Sequence, residues 1–175
     1  MFRQFLVTAT ILFACVSAIK LEDIPQEYRE LIPERVQKLI TGLSPQERVA
    51  MREVYVNFPT YKSDAEVVAA IKAKSPELAA RIAEFHSWWN GKAAALGPEA
   101  KAYFDAMNEK AYKIRAQFYA GNIPSRAEMK QSALDTINKY KAMSAAGKAD
   151  FEKHFPLMSK VLSNDEVYKR LQSMN

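Results

Sequence analysis

The sequence predicts an all-α protein, built as a compact single-domain bundle of about ten helices, and three features of its 175 residues point there. Apolar side chains between the turn signals recur at steps of three and four, never in strict alternation, which is the period of a helix face. Each proline falls where a helix can begin or a turn can sit, so its fixed φ and missing N–H do no harm. Four segments open with a serine followed three residues on by a glutamate: Ser44/Glu47, Ser63/Glu66, Ser125/Glu128 and Ser163/Glu166. At that spacing each side chain can satisfy the other residue's backbone N–H at a helix start, a cap worth about 1 kcal/mol. The spacing also suits an acid-directed kinase acceptor, but capping accounts for it without a modifying enzyme.

Taken in order, Leu21 to Leu31 reads as a short helix opening at Pro25, and Pro33 to Ile40 as another that stops at Gly42. Ser44 to Phe58 follows. Val54, Tyr55 and Val56 favour strands, but they lie downstream of a capped start and the weaker local preference loses. Ser63 to Lys74 comes next, then Ser75 to about Leu96, where Leu78, Ile82, Phe85, Trp89, Ala93 and Leu96 form one face. His86 and Lys92 flank that face, and Trp88 sits about 95° off it.

The longest helix is expected from Gly97 to Gly121. Gly97 serves as N-cap, Pro98 suits the first helical position, and Gly121 can adopt the left-handed conformation that ends a helix. At the usual rise it is about 35 Å long. Its stripe is Phe104, Met107, Ala111, Ile114 and Phe118, with Tyr103 and Arg115 on opposite flanks and Tyr112 and Tyr119 turned away. A facing of this stripe against the one around Phe85 is expected. Ser125 to Met143, Ser144 to His154, a short piece after Pro156, and Ser163 to Met174 complete the chain.

Arg3 followed by an apolar run from Phe5 to Val16, with small residues up to Ala18, has the form of a secretory signal. The run is too short to span a bilayer. Cleavage after Ala18 would leave residues 19–175 as one secreted helical domain without its sole cysteine, Cys15, so packing and not a disulfide must hold it together. The 25 basic and 20 acidic residues give a net charge of +5, but the signs are interleaved and no basic run carries aromatic residues. A nucleic-acid partner is therefore not expected, whereas transient attraction to anionic membranes is compatible with the surplus.

Catalytic chemistry has little to work with. The two histidines, His86 and His154, lack partners at metal-ligand spacing, no G-x-S-x-G elbow occurs, and the five glycines never cluster into a phosphate-cradling loop. The protein reads as a non-enzyme without metal or cofactor. What stands out is helical apolar surface. Phe85, Trp89, Phe104 and Phe118 pack to uniform density less readily than aliphatics, and Met107, Met129 and Met143 suit adaptable surfaces. An aromatic core and a ligand pocket both fit that pattern.

Several blocks follow one another along the chain: Leu21-Glu22-Asp23-Ile24-Pro25-Gln26-Glu27-Tyr28-Arg29-Glu30-Leu31-Ile32-Pro33-Glu34, Tyr61-Lys62, Lys74-Ser75-Pro76, Ala116-Gln117-Phe118-Tyr119-Ala120-Gly121 with Pro124-Ser125, Tyr140-Lys141-Ala142, Lys148-Ala149-Asp150 and Phe155-Pro156. In this order they resemble the nematode fatty acid and retinol binding proteins. The resemblance covers essentially the whole mature chain and implies a secreted helical carrier with an internal apolar cavity that holds fatty acids and retinol. The adjacent Trp88 and Trp89 depart from the smaller apolar residues usual in that family. No sharp ligand motif carries over, so the lining is read from the stripes: Ile71, Leu78, Ile82, Phe85, Trp89, Phe104, Met107, Ala111, Ile114, Phe118 and Ile137. A carboxylate deep among such residues would lose hydration, so a polar group must stand where the stripe ends. Arg115 is the first candidate, with Lys92 and Tyr103 behind it; the plain alternative for Arg115 is a solvated surface arginine. The competing function is a helical protein that contacts membranes or a host surface through Trp88, Tyr112 and Tyr119 without a stable internal ligand.

Overall fold

The computed structural model describes Gln26 and residues 32–173. The expected signal peptide, its cleavage site and most of the expected helix from Leu21 to Leu31 lie outside the described residues. Among those described there are nine α-helices, one short 3-10 helix and no strand. The helices are α1 (Glu34–Thr41), α2 (Pro45–Val56), α3 (Asp64–Lys74), α4 (Pro76–Ala94), α5 (Pro98–Tyr119), α6 (Arg126–Ala142), α7 (Ala145–His154), α8 (Pro156–Ser163) and α9 (Asp165–Ser173), with the 3-10 turn at Phe58–Thr60 after α2. Val54 and Val56 are helical, as the capped start of α2 required.

The caps explain the boundaries, and two differ from expectation. Ser44 and Ser125 form complete reciprocal boxes: the Ser44 N–H donates to Glu47 Oε2 at 2.8 Å, and the Ser125 N–H to Glu128 Oε2 at 2.7 Å. Each serine hydroxyl oxygen accepts the glutamate's own N–H in return, at 3.2 Å in both. Ser63 accepts from the Glu66 N–H, but the Glu66 carboxylate accepts from Lys62 instead, so this box is half made. Ser163 is not a cap. Its hydroxyl donates back to the Lys160 carbonyl while the Asn164 side chain accepts from Glu166 and Val167, because an asparagine one residue nearer the helix reaches the same N–H groups. At the far end of α5, Gly121 has φ +78°, Asn122 N–H reaches Gln117 O at 2.9 Å and Gly121 N–H reaches Phe118 O at 3.0 Å. That is the left-handed glycine stop, with two orphan carbonyls satisfied.

The chain divides into two compact units. The first takes the described residues up to Asn90 together with Phe118–Gly121. Its core is Leu43, Met51, Val54, Val67, Ile71, Leu78 and Ile82, with Phe58, Tyr61 and Tyr119 packed against it. Burying each of these aliphatic side chains stabilises the unit by roughly 2 kcal/mol before entropy is charged. Tyr119, expected to face away, is half-buried with its ring 5.6 Å from Phe58. Glu47 holds the starts together: it is buried, takes the Ser44 N–H and pairs with Arg81 of α4, whose other nitrogen donates to Gly42 O at 3.0 Å. Burial works to raise the Glu47 carboxyl, but the Ser44 N–H and the Arg81 guanidinium outweigh it and hold the group below the usual carboxylate range.

The second unit takes Gly91–Gln117 and the described residues from Asn122 onward. Its core is aromatic. Tyr103 and Phe151 meet edge to face at 5.2 Å, Phe104 stacks on Phe155 at 5.0 Å, and Tyr140 lies 5.7 Å from Phe151. Such pairs contribute about 0.5 to 1.5 kcal/mol beyond their buried area. Two helix starts cap each other. Glu99 in the first turn of α5 accepts from the Ser144 N–H at 2.8 Å and its hydroxyl at 2.5 Å, and Asp150 of α7 accepts from the Gly97 N–H at 2.7 Å. A Cβ at Gly147 would lie 2.4 Å from Glu99 Oε2, so a side chain there would have to displace the carboxylate that holds Ser144.

Candidate ligand-binding site

Helix α5 changes character along its length. Ala100, Tyr103 and Phe104, in its first two turns, are buried, whereas Met107, Ala111 and Ile114 of the same stripe are only half-buried. An apolar stripe that is sealed at one end and partly open further along presents greasy surface where an apolar molecule can lie. Arg115 follows Ile114 directly and is buried at 5% exposure, so the solvated-arginine alternative is excluded. Its guanidinium carbon stands 5.9 Å from the ring centroid of Tyr112, one turn back, and Tyr112 itself is exposed as expected. A guanidinium keeps its charge when buried, so its surroundings must replace the water it has lost.

One polar side chain here was not picked out from the sequence. Asn108 lies one turn after Phe104, and its Oδ1 is sealed from solvent with no hydrogen-bond donor among the described residues. The available signal was an asparagine, a weak helix former, in mid-helix beside an apolar stripe. Tyr103, by contrast, is committed: its hydroxyl donates to Thr136 O at 3.2 Å, and burial, reinforced by the neighbouring Tyr140, pushes the phenol further above its ordinary range. Lys92 is engaged as well, its ammonium donating to His154 O at 3.0 Å, where a cation complements the negative end of α7. Ile137, on α6, is buried, and Phe104 belongs to the aromatic core through Phe155.

The remaining sequence-predicted positions belong to the first unit. Ile71, Leu78 and Ile82 sit in its main packed core, and Phe118 is half-buried. Phe85 and Trp89 form a second cluster with Val36, Leu39 and Trp88. Trp88 and Trp89 are both half-buried, with centroids 5.3 and 6.1 Å from Phe85, so the expected contrast between an inward Trp89 and an outward Trp88 does not hold. A helical side chain leans back over the preceding turn, and a ring as large as indole reaches Phe85 from either position. His86 is buried beside them and its imidazole is pushed down to about 4 by burial, which disfavours the charged form. A cleft of about 360 Å³ with Phe85 and Leu39 on its floor is rimmed by Glu34, Arg35, Lys38, Arg81 and Glu84. Among the described residues no His, Cys, Asp and Glu group could hold a metal ion, and no helix is long and apolar enough to cross a membrane.

Comparison with known proteins places these features in a family. Residues 26–174 match the model described as "Nematode fatty acid retinoid binding protein (Gp-FAR-1)". The chain is 32% identical over 173 residues to Fatty-acid and retinol-binding protein 1 of Caenorhabditis elegans, covering 93% of this chain and 95% of that protein. It is 30% identical over 175 residues to Fatty-acid and retinol-binding protein 1 of Loa loa, covering 99% of this chain and 97% of that one. A solved structure, the Fatty Acid and Retinol binding protein Na-FAR-1 from Necator americanus, is similar at 41% identity and a TM-score of 0.55, over 88% of this chain and 99% of its own. The all-helical fold, the ordered sequence blocks and a match that spans most of the chain agree, and the protein belongs to the nematode fatty acid retinoid binding protein family.

Proposed function

We propose that this protein is a secreted, non-enzymatic carrier that binds fatty acids and retinol without covalent chemistry. The observation that carries the reading is the half-buried stripe Met107, Ala111 and Ile114 continuing from buried Phe104, with the permanently charged Arg115 buried beside it. The names of its relatives supply the ligand class. A 16-carbon tail offers about 0.8 kcal/mol per methylene, roughly 12 kcal/mol before immobilisation costs, enough for micromolar or tighter binding. In this reading Met107, Ala111, Ile114 and Ile137 of the second unit line the tail, joined by Phe104, while Ile71, Leu78, Ile82, Phe85, Trp89 and Phe118 are the apolar positions of the first unit. Arg115 takes the carboxylate. Lys92 and Tyr103, already bonded to carbonyl oxygens, are the weaker head-group candidates.

Titration with a fluorescent fatty acid tests this. Its emission should rise and shift to the blue on binding, and both oleate and retinol should displace it; no saturable signal, or one that neither ligand reverses, overturns the reading. Export is tested by intact mass, which should place the N-terminus of secreted material at Ile19. Brief contact with anionic membranes fits the charge distribution, because the second unit holds 14 basic and 9 acidic residues while the rest of the chain balances 11 against 11. Liposome co-sedimentation that weakens with salt is the expected behaviour.

A further inference from the structure

We propose that α5 carries two polar stations for ligand heads, Arg115 for a carboxylate and Asn108 for the hydroxyl of an alcohol, so that a single apolar stripe serves both classes. This rests on the carrier reading and adds to it a residue that discriminates between ligands.

The two side chains are seven residues apart on one helix, which is nearly two full turns: they share a flank, rotated by about 20°, and stand about 10 Å apart along the axis. Both border the stripe of Phe104, Met107, Ala111 and Ile114. Their chemistries differ in the sense required. Arginine offers only donors, in a planar fork that matches a carboxylate. The Asn108 amide oxygen is an acceptor, and it is sealed from solvent with no donor among the described residues. An ionised carboxylate has no proton to give it, whereas an alcohol O–H supplies the missing donor. A buried acceptor left unmet is a standing cost, and folded proteins leave few of them. An alcohol ligand that meets it gains relative to one that does not. The two heads occupy different depths while their tails overlap on the same residues, so acid and alcohol should compete although they use different polar contacts.

The test is Asn108→Leu in the mature chain, titrated with all-trans-retinol, with retinyl methyl ether, which has the same polyene but no O–H, and with oleate. Retinol should bind about five-fold more weakly, as for one lost neutral hydrogen bond, while ether and oleate change by less than about two-fold. The ligand-free variant should melt no lower than the parent, since the substitution removes an unmet acceptor. Asn108→Ser keeps an oxygen and should retain part of the preference for retinol over its ether; it also serves if the leucine variant does not fold. Arg115→Leu should show the opposite pattern, with oleate weakened and retinol spared. Equal losses for retinol and its ether, or for retinol and oleate, would assign Asn108 to packing and overturn the proposal. No change with any ligand would mean that water meets the oxygen, with the same consequence. If the unsubstituted protein bound neither retinol nor oleate, the carrier reading itself would fall and the assignment with it.

Discussion

A guanidinium at 5% exposure retains its charge in any surroundings, which makes Arg115 the residue through which acid and alcohol ligands should differ most. Arg115→Leu should weaken fatty-acid binding by about 1 to 3 kcal/mol, the usual worth of a charge-assisted contact, and leave retinol nearly unchanged. Equal loss for both ligands would point to damaged packing. His86 supplies a second residue-scale prediction. Its folded-state value of about 4 lies below the ordinary 6.5, so the unfolded chain binds more protons between those limits. Stability from this group is therefore fully present above about pH 6.5 and declines as the pH falls toward 4, by up to about 1.4 kcal/mol per pH unit. Chemical denaturation at pH 7, 6 and 5 should show the decline, and His86→Gln should flatten it. The depressed Glu47 carboxyl also favours the folded state at neutral pH, but its contribution is lost below the usual carboxylate range, beneath the His86 window.

At the scale of the element, the caps predict which serines matter. Ser125→Ala removes one half of a complete box and should cost α6 about 1 kcal/mol in thermal or denaturant unfolding. Ser163→Ala should be close to neutral, while Asn164→Ala should cost about 1 kcal/mol, because Asn164 accepts the first-turn N–H groups of α9. A large effect at Ser163 with none at Asn164 would contradict the assigned cap. The sequence pattern located that helix start to within two residues but not the capping side chain. Ser-x-x-Glu and Asn-x-x-Val are both viable caps, and the choice depends on how the preceding helix, α8, ends.

For the whole molecule, far-ultraviolet circular dichroism should show helix without a sheet component. Reductant should leave the melting temperature of a chain starting at Ile19 unchanged, since residues 19–175 contain no cysteine. Each unit has its own core, and the two cores differ in kind. The first is mostly aliphatic, from Leu43 to Ile82, and the second mostly aromatic, around Tyr103, Phe104, Tyr140, Phe151 and Phe155. Phe151→Ala, at a fully buried ring that meets three others, should therefore destabilise by about 3 to 5 kcal/mol in denaturant unfolding.

Helix class, helix order and most boundaries were legible in the amino-acid sequence, because periodicity, proline placement and Ser-x-x-Glu caps are local signals that act within a turn or two. Gly121 as the left-handed stop of α5 and Ser44 as the reciprocal cap of α2 are examples. Burial was legible only on average. A helical wheel put Tyr103 and Arg115 on the flanks of a stripe, but the tertiary structure decided that both are buried, that Tyr119 turns toward Phe58, and that Trp88 shares Phe85 with Trp89. It also decided that the Lys92 ammonium ends at the His154 carbonyl and that Asn108 holds an oxygen out of reach of solvent. The reason is physical: a wheel gives the direction in which a side chain leaves its own helix, while exposure and hydrogen bonding depend on which residues far along the chain fold over it.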